Sequence, residues 1–235
     1  MNLSTTVALV TGANRGLGRH LAAELHARGT QVWGGARKPA EVELPGVTPV
    51  HVDLKDPASI VAAAERASDV TLLINNAGVA FPGNLLTAPM ADIREVMEVN
   101  YFGTLEVTRA FAPVIARNGG GTIANVLSTV SWLGSRGLGG YAASKSAAWS
   151  ATNTSRLLLA ESGIRLLGVH AYFIATDLTA GVPGPKSDPG DVAKMIADAI
   201  EADEYELLVD DQTRAASANL SGGVAALYPQ LRVSA

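Results

Sequence analysis

The chain has 235 residues, 48% of them hydrophobic, and a net charge of −4. This length favours a single domain over residues 1–235, and the lack of a basic block argues against nucleic-acid binding. The absence of cysteine excludes disulfides and thiolate ligands, and the four histidines lack metal-site spacing, so no metal is expected. No apolar run approaches the roughly 18 residues of a membrane span, so we expect a cytoplasmic protein that does not enter membranes.

Short apolar runs rich in β-branched residues alternate along the chain with longer, alanine-rich segments of helical period. This alternation is typical of βαβ units, and it predicts an α/β fold with a doubly wound parallel sheet of about seven strands flanked by helices. The predicted strands are Val7–Val10, Gln31–Ala36, Val47–Val52, Val70–Ile74, Thr122–Leu127, Ile164–His170 and Tyr205–Val209. The predicted helices are Gly16–Arg28, Ser59–Ala67, Met90–Arg117 with a break near Gly103, Tyr141–Glu161 and Asp188–Ala202.

Ligands of such sheets bind beyond the carboxyl ends of the strands, so we expect the binding residues in the loops that follow the strands. The first strand is followed by TGANRGLG, with Gly12, Gly16 and Gly18. Glycines let the backbone turn tightly and approach a pyrophosphate at the N-terminus of the next helix. An ordinary glycine-rich turn is the alternative, but the position between a strand and a helix favours phosphate binding.

The end of the second strand indicates which dinucleotide is preferred. Sheets that bind NAD usually carry an acid here for the ribose hydroxyls, whereas this chain has Ala36 followed by Arg37. Arg15, in the glycine loop, adds a second guanidinium that can hold phosphate oxygens. Two solvated surface arginines are the alternative, and the missing acid favours NADP(H).

Polar residues also follow the third and fourth strands. Asp53 in HVDL is placed to accept a hydrogen bond from an adenine amino group, and NNAG, residues 75–78, offers amides and a glycine near a ribose. Either segment could instead cap a helix or satisfy a turn.

Tyr141 and Lys145 in YAASK are four residues apart and share one face of a predicted helix. Such a pair also occurs by chance in many helices. Only its combination with other motifs gives it a chemical meaning.

Together, TGxxxGxG, Asp53, NNAG, Asn100 in EVNYFG, Ser128 in NVLSTVSW, and YAASK resemble the short-chain dehydrogenase/reductase family in order and spacing, over about residues 5 to 178. The resemblance implies a Rossmann-type sheet, a nicotinamide cofactor and the catalytic residues Asn100, Ser128, Tyr141 and Lys145. Ser128 lies thirteen residues before Tyr141, which is the customary separation in the family, so the resemblance favours Ser128 over Ser131. The implied cofactor-binding residues are Gly12, Asn14, Arg15, Gly16, Leu17, Gly18, Arg37, Asp53, Leu54, Asn76, Ala77, Gly78, Tyr141, Lys145, Ile174 and Thr176.

These residue types suit the reduction of a carbonyl. Tyrosine, with a pKa near 10, is an adequate acid but a reluctant base, and the Lys145 charge is expected to favour its phenolate. Ser128 is expected to hydrogen-bond the substrate oxygen as charge develops there. By resemblance, Asn100 would hold a water that links Lys145 to solvent.

Two departures from the family pattern concern the substrate side. Ala171 and Tyr172 replace the usual Pro-Gly, so the Tyr172 ring either narrows the pocket or folds away against the sheet. The segment between Thr176 and Asp188 is short, which suggests an open or shallow site. The expected lining is Ser128, Trp132, Leu133, Leu138, Tyr172 and Phe173, with Val79, Phe81 and Trp149 as further candidates.

The sequence therefore predicts an NADPH-dependent carbonyl reductase, or an alcohol dehydrogenase in reverse, acting on a small-molecule hydrophobic ketone, aldehyde or alcohol. A dinucleotide-binding regulator and an epimerase or dehydratase on the same scaffold are the alternatives. A homodimer or homotetramer is expected, and the helices around residues 100–117 and 145–160 are the candidate dimer contact.

Overall fold

A computed structural model describes residues 1–231 of the chain. Its centre is one parallel sheet in the order β3-β2-β1-β4-β5-β6-β7. This order is that of a doubly wound sheet, in which the direction of winding reverses beside β1, and it confirms the predicted α/β class. The strands are β1 Val7–Thr11, β2 Gln31–Ala36, β3 Val47–His51, β4 Leu72–Asn75, β5 Gly121–Val126, β6 Ile164–His170 and β7 Glu206–Leu208.

Helices cover both faces of the sheet. They are α1 Gly16–Ala27, α2 Pro57–Arg66, α3 Met90–Met97, α4 Thr104–Arg117, α5 Gly139–Leu159, α6 Pro189–Glu201, α7 Asp211–Ala218 and α8 Gly223–Leu227. The last two were not predicted from the sequence. The predicted start of α6 is confirmed, because the Asp188 side chain accepts from the backbone N–H groups of Gly190 and Asp191. No helix within residues 1–231 has the length and apolar character needed to cross a membrane.

The core is divided by the sheet into two layers. Successive residues of a strand point to opposite faces, so Val10 packs into the layer under α1 and α6, while Leu9 packs into the layer under α2 and α4. Leu21 and Ile196 belong to the first layer, and Phe111 to the second. This two-sided burial explains why the central strands are almost continuously apolar.

The predicted break in the long helix is a π-helical turn, Glu98–Gly103, between α3 and α4. Gly103 ends the turn, and a Cβ at this position would lie 2.5 Å from the Leu54 carbonyl oxygen. Only glycine therefore permits this close packing. The turn places Asn100 inside the molecule, where the residue is 1% exposed.

β7 is shorter than the predicted Tyr205–Val209 strand. It is an edge strand that pairs with β6 alone, through Gly168 with Glu206 and His170 with Leu208. After Leu208 the chain turns into α7, whose first turn is capped by Asp210. The cap ends the ladder earlier than the apolar pattern suggests.

Candidate active site

The carboxyl ends of the parallel strands bring the loops of interest to one edge of the sheet. The glycine loop follows β1, and its backbone is left-handed at Gly12 and Gly16, with φ of 71° and 52°. The N–H groups of Gly12 and Ala13 donate to the Gly35 carbonyl oxygen at 2.8 and 3.1 Å. The loop is therefore anchored to the end of β2.

The NNAG segment after β4 is joined directly to the glycine loop. The Thr11 hydroxyl accepts from the N–H groups of Asn76 and Ala77 at 3.0 and 3.1 Å, and the Asn76 amide donates to the Thr11 carbonyl at 2.9 Å. A Cβ at Gly18 would lie 2.2 Å from the Gly12 carbonyl oxygen. Gly12, Gly18 and Asn76 are thus packed tightly together. This is the edge of the sheet at which a pyrophosphate and a ribose are expected to bind.

The loop after β6 reaches the same place. A Cβ at Gly16 would be 3.5 Å from the Thr176 side chain, which brings two predicted cofactor residues together. The segment that follows is tied at its base, because Ser187 donates to Phe173 and accepts from Ala175 at 2.8 and 2.9 Å. Ile174 pairs with Ser187 in this connection. These bonds hold the base of the segment between Thr176 and Asp188 beside the glycine turn, and an open or shallow site stays a prediction.

The predicted phosphate ligands Arg15 and Arg37 are both exposed. Neither guanidinium forms an ion pair with another residue in the part of the chain described, 1–231, so both are available to an anion. An unpredicted carboxylate lies nearby: Glu41 accepts from the Asn14 amide at 3.0 Å and pairs with Lys38 at 3.2 Å. Lys38, followed by Asn14 and Arg15, lowers the pKa of Glu41. The two free guanidinium groups suit a dinucleotide with an additional phosphate, whereas the Glu41 carboxylate opposes it.

Asp53 and Leu54 follow β3, as predicted. One carboxylate oxygen of Asp53 accepts from the Lys55 N–H at 3.0 Å, and the Asp53 N–H donates to the Ser59 hydroxyl. Asp53 thus forms hydrogen bonds within its own turn. Contact of its carboxylate with an adenine stays a prediction. Leu54 is buried against Gly103.

The predicted catalytic residues converge from three elements. Tyr141 and Lys145 lie one turn apart on α5, with the Lys145 Nζ 5.7 Å from the centroid of the Tyr141 ring. Ser128 follows β5, and its side chain lies near enough to the Tyr141 phenol to act on the pKa of that phenol. Ser128 and Lys145 are 6% and 7% exposed, so the polar groups meet in a largely desolvated place. Ser131, the alternative to Ser128, instead accepts from the Ser128 N–H through its hydroxyl at 3.2 Å.

Asn100 fixes the wall of this site. Its amide accepts from the Val79 N–H and donates to the Val79 carbonyl, both at 2.8 Å, and donates to the Ser144 hydroxyl at 3.0 Å. A Cβ at Gly78 would lie 3.0 Å from Asn100 Oδ1 and 3.9 Å from Lys145 Nζ. The Asn100 side chain is therefore occupied in holding Gly78 and Val79 beside Lys145, and the proposed water relay stays a prediction.

The pKa of the Tyr141 phenol is governed mainly by burial. Burial raises the pKa of Tyr141 to about 12, although the Ser128 side chain acts to lower it. Burial likewise lowers the pKa of Lys145 to about 8. Desolvation is thus the larger effect on the phenol in this structure, and the Lys145 ammonium donates to the Val126 carbonyl at 2.7 Å. Stabilisation of a phenolate by Lys145 stays a prediction.

Aromatic rings cluster on the predicted substrate side. Trp132 stacks on His170 with centroids 4.0 Å apart and meets the edge of Trp149 at 6.4 Å. Tyr172 is 42% exposed and packs against Phe173, with centroids 4.3 Å apart. The Tyr172 ring is therefore not folded away against the sheet, and its contact with a substrate stays a prediction.

The remaining lining candidates lie in two adjoining loops. Leu138 immediately precedes α5 and pairs with Gly83, whose N–H donates to the Gly137 carbonyl at 2.8 Å. Leu133 is half-buried in the same loop as Trp132, while Val79 and Phe81 are half-buried and exposed after β4. One contact was not predicted: the Tyr228 hydroxyl accepts from the Gly134 N–H at 2.7 Å. No local signal marks Tyr228, because it comes from the distant C-terminal segment.

Comparison with known proteins agrees with this geometry. The model of the short chain dehydrogenase family matches residues 6–185. The uncharacterized oxidoreductase YbbO of Escherichia coli strain K12 is 33% identical over 188 residues, 77% of this chain and 70% of its own. Carbonyl reductase [NADPH] 2 of Sus scrofa is 33% identical over 195 residues, 80% and 79% of the two chains. A short chain dehydrogenase from Burkholderia cenocepacia J2315, solved in complex with NADP, is 36% identical, with a TM-score of 0.94 and 100% of both chains covered. The chain described here therefore belongs to the short-chain dehydrogenase family of oxidoreductases.

Proposed function

We propose that the protein is an NADPH-dependent oxidoreductase that interconverts a hydrophobic ketone or aldehyde and its alcohol, with Tyr141 as the proton donor and acceptor. The observation that carries this proposal is the meeting of Ser128, Tyr141 and Lys145 in a desolvated place at the strand ends that also present the glycine loop. A carbonyl bound between them would face both an acid and a hydrogen-bond donor.

The protonation states support reduction as the favoured direction. When bound, the nicotinamide cofactor supplies the hydride for the carbonyl carbon. Tyr141, with a pKa of about 12, holds its proton at neutral pH and can deliver it to the oxygen as negative charge develops. Lys145, with a pKa of about 8, is mostly cationic at neutral pH and stabilises the phenolate that the transfer leaves. The Ser128 hydroxyl holds the same oxygen.

Preference for NADPH is supported by the charges at the end of β2. Ala36, which stands where an acid would hold the ribose hydroxyls, is 4% exposed and offers no carboxylate. Arg15 and Arg37 are exposed and free of ion pairs within residues 1–231. The solved relative bound to NADP supports the same assignment.

A hydrophobic substrate is supported by the rings beside Ser128. Trp132 follows Ser128 in the same turn, Tyr172 and Phe173 follow Ala171, whose carbonyl oxygen lies 3.2 Å from the Ser128 hydroxyl, and Leu138 immediately precedes α5. Pockets of this kind accept apolar substituents and use a few polar groups to orient the carbonyl.

The decisive experiment compares Tyr141→Phe with the wild type in a panel of ketones and aldehydes, following NADPH consumption. Loss of the phenol should lower kcat by about 10²-fold or more while NADPH binding persists. Tyr205→Phe, an exposed tyrosine on the sheet edge, is the matched control and should retain wild-type turnover. Full activity of Tyr141→Phe would refute the mechanism. A regulator would show no turnover in any protein, and an epimerase or dehydratase would show turnover without net NADPH consumption.

We further propose that residues 1–235 form one catalytic unit and that it self-associates through α4 and α5. Leu157 and Leu158 on α5 are 80% and 72% exposed, and Phe102 in the adjoining π-helical turn is 48% exposed. Large apolar side chains with this exposure on adjacent helices suit a symmetric contact between two copies. Light scattering should give a dimer or tetramer that Leu158→Glu shifts toward monomer, and a wild-type monomer would contradict the proposal.

A further inference from the structure

His170, the last residue of β6, is fully buried between the active site and the sheet edge. Its Nδ1 lies 3.3 Å from the Ser128 carbonyl oxygen. Its Nε2 lies 2.8 Å from Glu206 Oε2, an ion-pair distance without the alignment of a hydrogen bond. The other oxygen of Glu206 pairs with Arg156 at 2.8 Å. A row of polar groups therefore runs from the edge strand to the predicted catalytic serine.

Both ring nitrogens of His170 face oxygen acceptors. A neutral imidazole has one N–H and one lone pair, so one of its nitrogens would direct a lone pair at a carbonyl or a carboxylate oxygen. The doubly protonated ring presents N–H to both. Its positive charge also suits the Trp132 face stacked on it at 4.0 Å and 23°. The contacts on every side thus favour an imidazolium.

The charged groups around His170 agree with this assignment. Glu206 on β7 faces the ring, and Arg156 on α5 lies beyond Glu206. Burial alone would raise the pKa of Glu206, but its contacts with His170 and Arg156 outweigh burial and lower it. Asp210, before α7, instead accepts from the Tyr172 and Thr213 N–H groups. Glu206 is therefore the carboxylate that contacts the imidazole.

The backbone of Ser128 is held on both sides by the end of β6. Leu127 donates to Val169 at 2.8 Å and Thr129 donates to Ala171 at 3.0 Å. The Ser128 hydroxyl lies 3.2 Å from the Ala171 carbonyl. The Ser128 carbonyl accepts from the Ser131 N–H at 2.9 Å, and His170 is its second neighbour. An imidazolium at this point restrains the peptide from which the serine hydroxyl projects.

We propose that His170 is a positioning residue for Ser128: as an imidazolium held by Glu206, it binds the Ser128 carbonyl and fixes the serine hydroxyl relative to Tyr141. This role rests on the proposed function, since it acts through the serine that orients the carbonyl substrate. It makes Glu206, on the edge strand, a remote determinant of turnover.

The first test measures the protonation of the His170 ring nitrogens directly and needs no substrate. Nitrogen NMR of the whole protein at neutral pH should show two protonated ring nitrogens for His170, assigned as the signals missing from His170→Gln. In Glu206→Gln the ring signals should differ from those of the wild type at the same pH, because the neighbouring anion is gone. A neutral ring in the wild type, or identical ring signals in Glu206→Gln, would overturn the proposal.

The second test reads turnover. Glu206→Gln and His170→Gln should each lower kcat for carbonyl reduction by about tenfold, with the KM for NADPH unchanged, because only the placement of Ser128 is altered. His26→Gln, an exposed histidine on α1, is the control and should match the wild type.

Two outcomes of the turnover test are decisive against the role. The positioning role is refuted if Glu206→Gln keeps the wild-type kcat across the pH range. It is also refuted if the KM for NADPH rises to the same extent and kcat does not fall. If His170→Gln does not fold, Glu206→Gln, at the sheet edge, provides the turnover test. The NMR signals of His170 are then assigned by labelling. A wild type without carbonyl turnover refutes the proposed function, while the NMR result still decides whether His170 is charged.

Discussion

The Lys145 ammonium donates a hydrogen bond to the Val126 carbonyl oxygen at 2.7 Å, at the last residue of β5. This bond ties α5 to the sheet. It does not fully offset the loss of water around the charge, since burial lowers the pKa of Lys145 from 10.5 to about 8. The charge that the proposed mechanism assigns to Lys145 is therefore held at a cost to folding.

Lys145→Met is expected to stabilise the fold while abolishing turnover. Between about pH 8 and 10.5 the folded wild type binds fewer protons than the unfolded chain, so its stability rises with pH across that window. At pH 7 the variant should be more stable by up to ~3 kcal/mol, less the contribution of the lost hydrogen bond. Chemical denaturation at several pH values measures the difference, which should shrink above pH 8. Lys194→Met, at an exposed position, is the control, and an equal pH dependence in both variants would contradict the prediction.

The rate of reduction should fall as pH rises through about 8, because Lys145 then loses its charge. Tyr141, with a pKa of about 12, stays protonated through this range and does not limit the rate. The profile of kcat/KM between about pH 6 and about pH 10 reports these groups in the free enzyme. A rate that is flat through pH 8, or that rises there, would show that Lys145 does not govern reduction.

Glu41→Gln is expected to strengthen NADPH binding. The Glu41 carboxylate contacts Asn14 and Lys38 and attracts Arg15, so it competes with a phosphate for the same cationic groups. Removing an exposed charge pair of this kind should lower the Kd for NADPH by roughly threefold. The Kd for NADH should stay unchanged. Calorimetric titration with both cofactors measures this, with exposed Glu43→Gln as control. Equal changes for NADPH and NADH would place Glu41 away from the phosphate.

The same titration tests the phosphate ligands. Arg37→Asp should lose most of the preference for NADPH, because it removes a guanidinium and adds a repelling carboxylate. Should wild type and Arg37→Asp both bind NADPH and NADH alike, the assignment of the phosphate site to Arg37 would fail.

Gly18→Ala should destabilise the fold strongly. The added methyl would lie 2.2 Å from the Gly12 carbonyl oxygen and 2.5 Å from the Asn76 amide, so the glycine loop and the NNAG segment must separate. We expect a loss of about 3 kcal/mol or more, seen as a lower midpoint of thermal unfolding, and weaker cofactor binding. At Gly137, where a methyl would meet no atom within 4 Å, the same substitution should change little. A thermally unaltered Gly18→Ala would contradict the tight contact.

Much of the fold was predictable because its signals are local. β2 and β6 begin and end where the apolar pattern predicts, and the break near Gly103 is the π-helical turn. α7 was missed because DQTRAASA is short and polar, with little apolar surface to mark a packing face. Its position depends on the cap at Asp210.

The positions of the candidate site residues were predictable where a motif directly follows a strand, as at Gly12 and Ser128. Contacts between distant segments were not, such as Glu41 with Asn14 and Tyr228 with Gly134. The effect of burial on the Tyr141 pKa was also not predicted, because burial depends on how α5 packs and not on the spacing of Tyr141 and Lys145.

Glu206 looks, by sequence and exposure, like a residue open to free choice in protein engineering. It lies on a three-residue edge strand, where charged residues commonly prevent sheets from joining edge to edge. Yet only His170 separates its carboxylate from Ser128. Charge-reversal libraries intended to improve solubility or crystal packing should leave Glu206 and its partner Arg156 unaltered, or include them deliberately as a remote way to tune turnover.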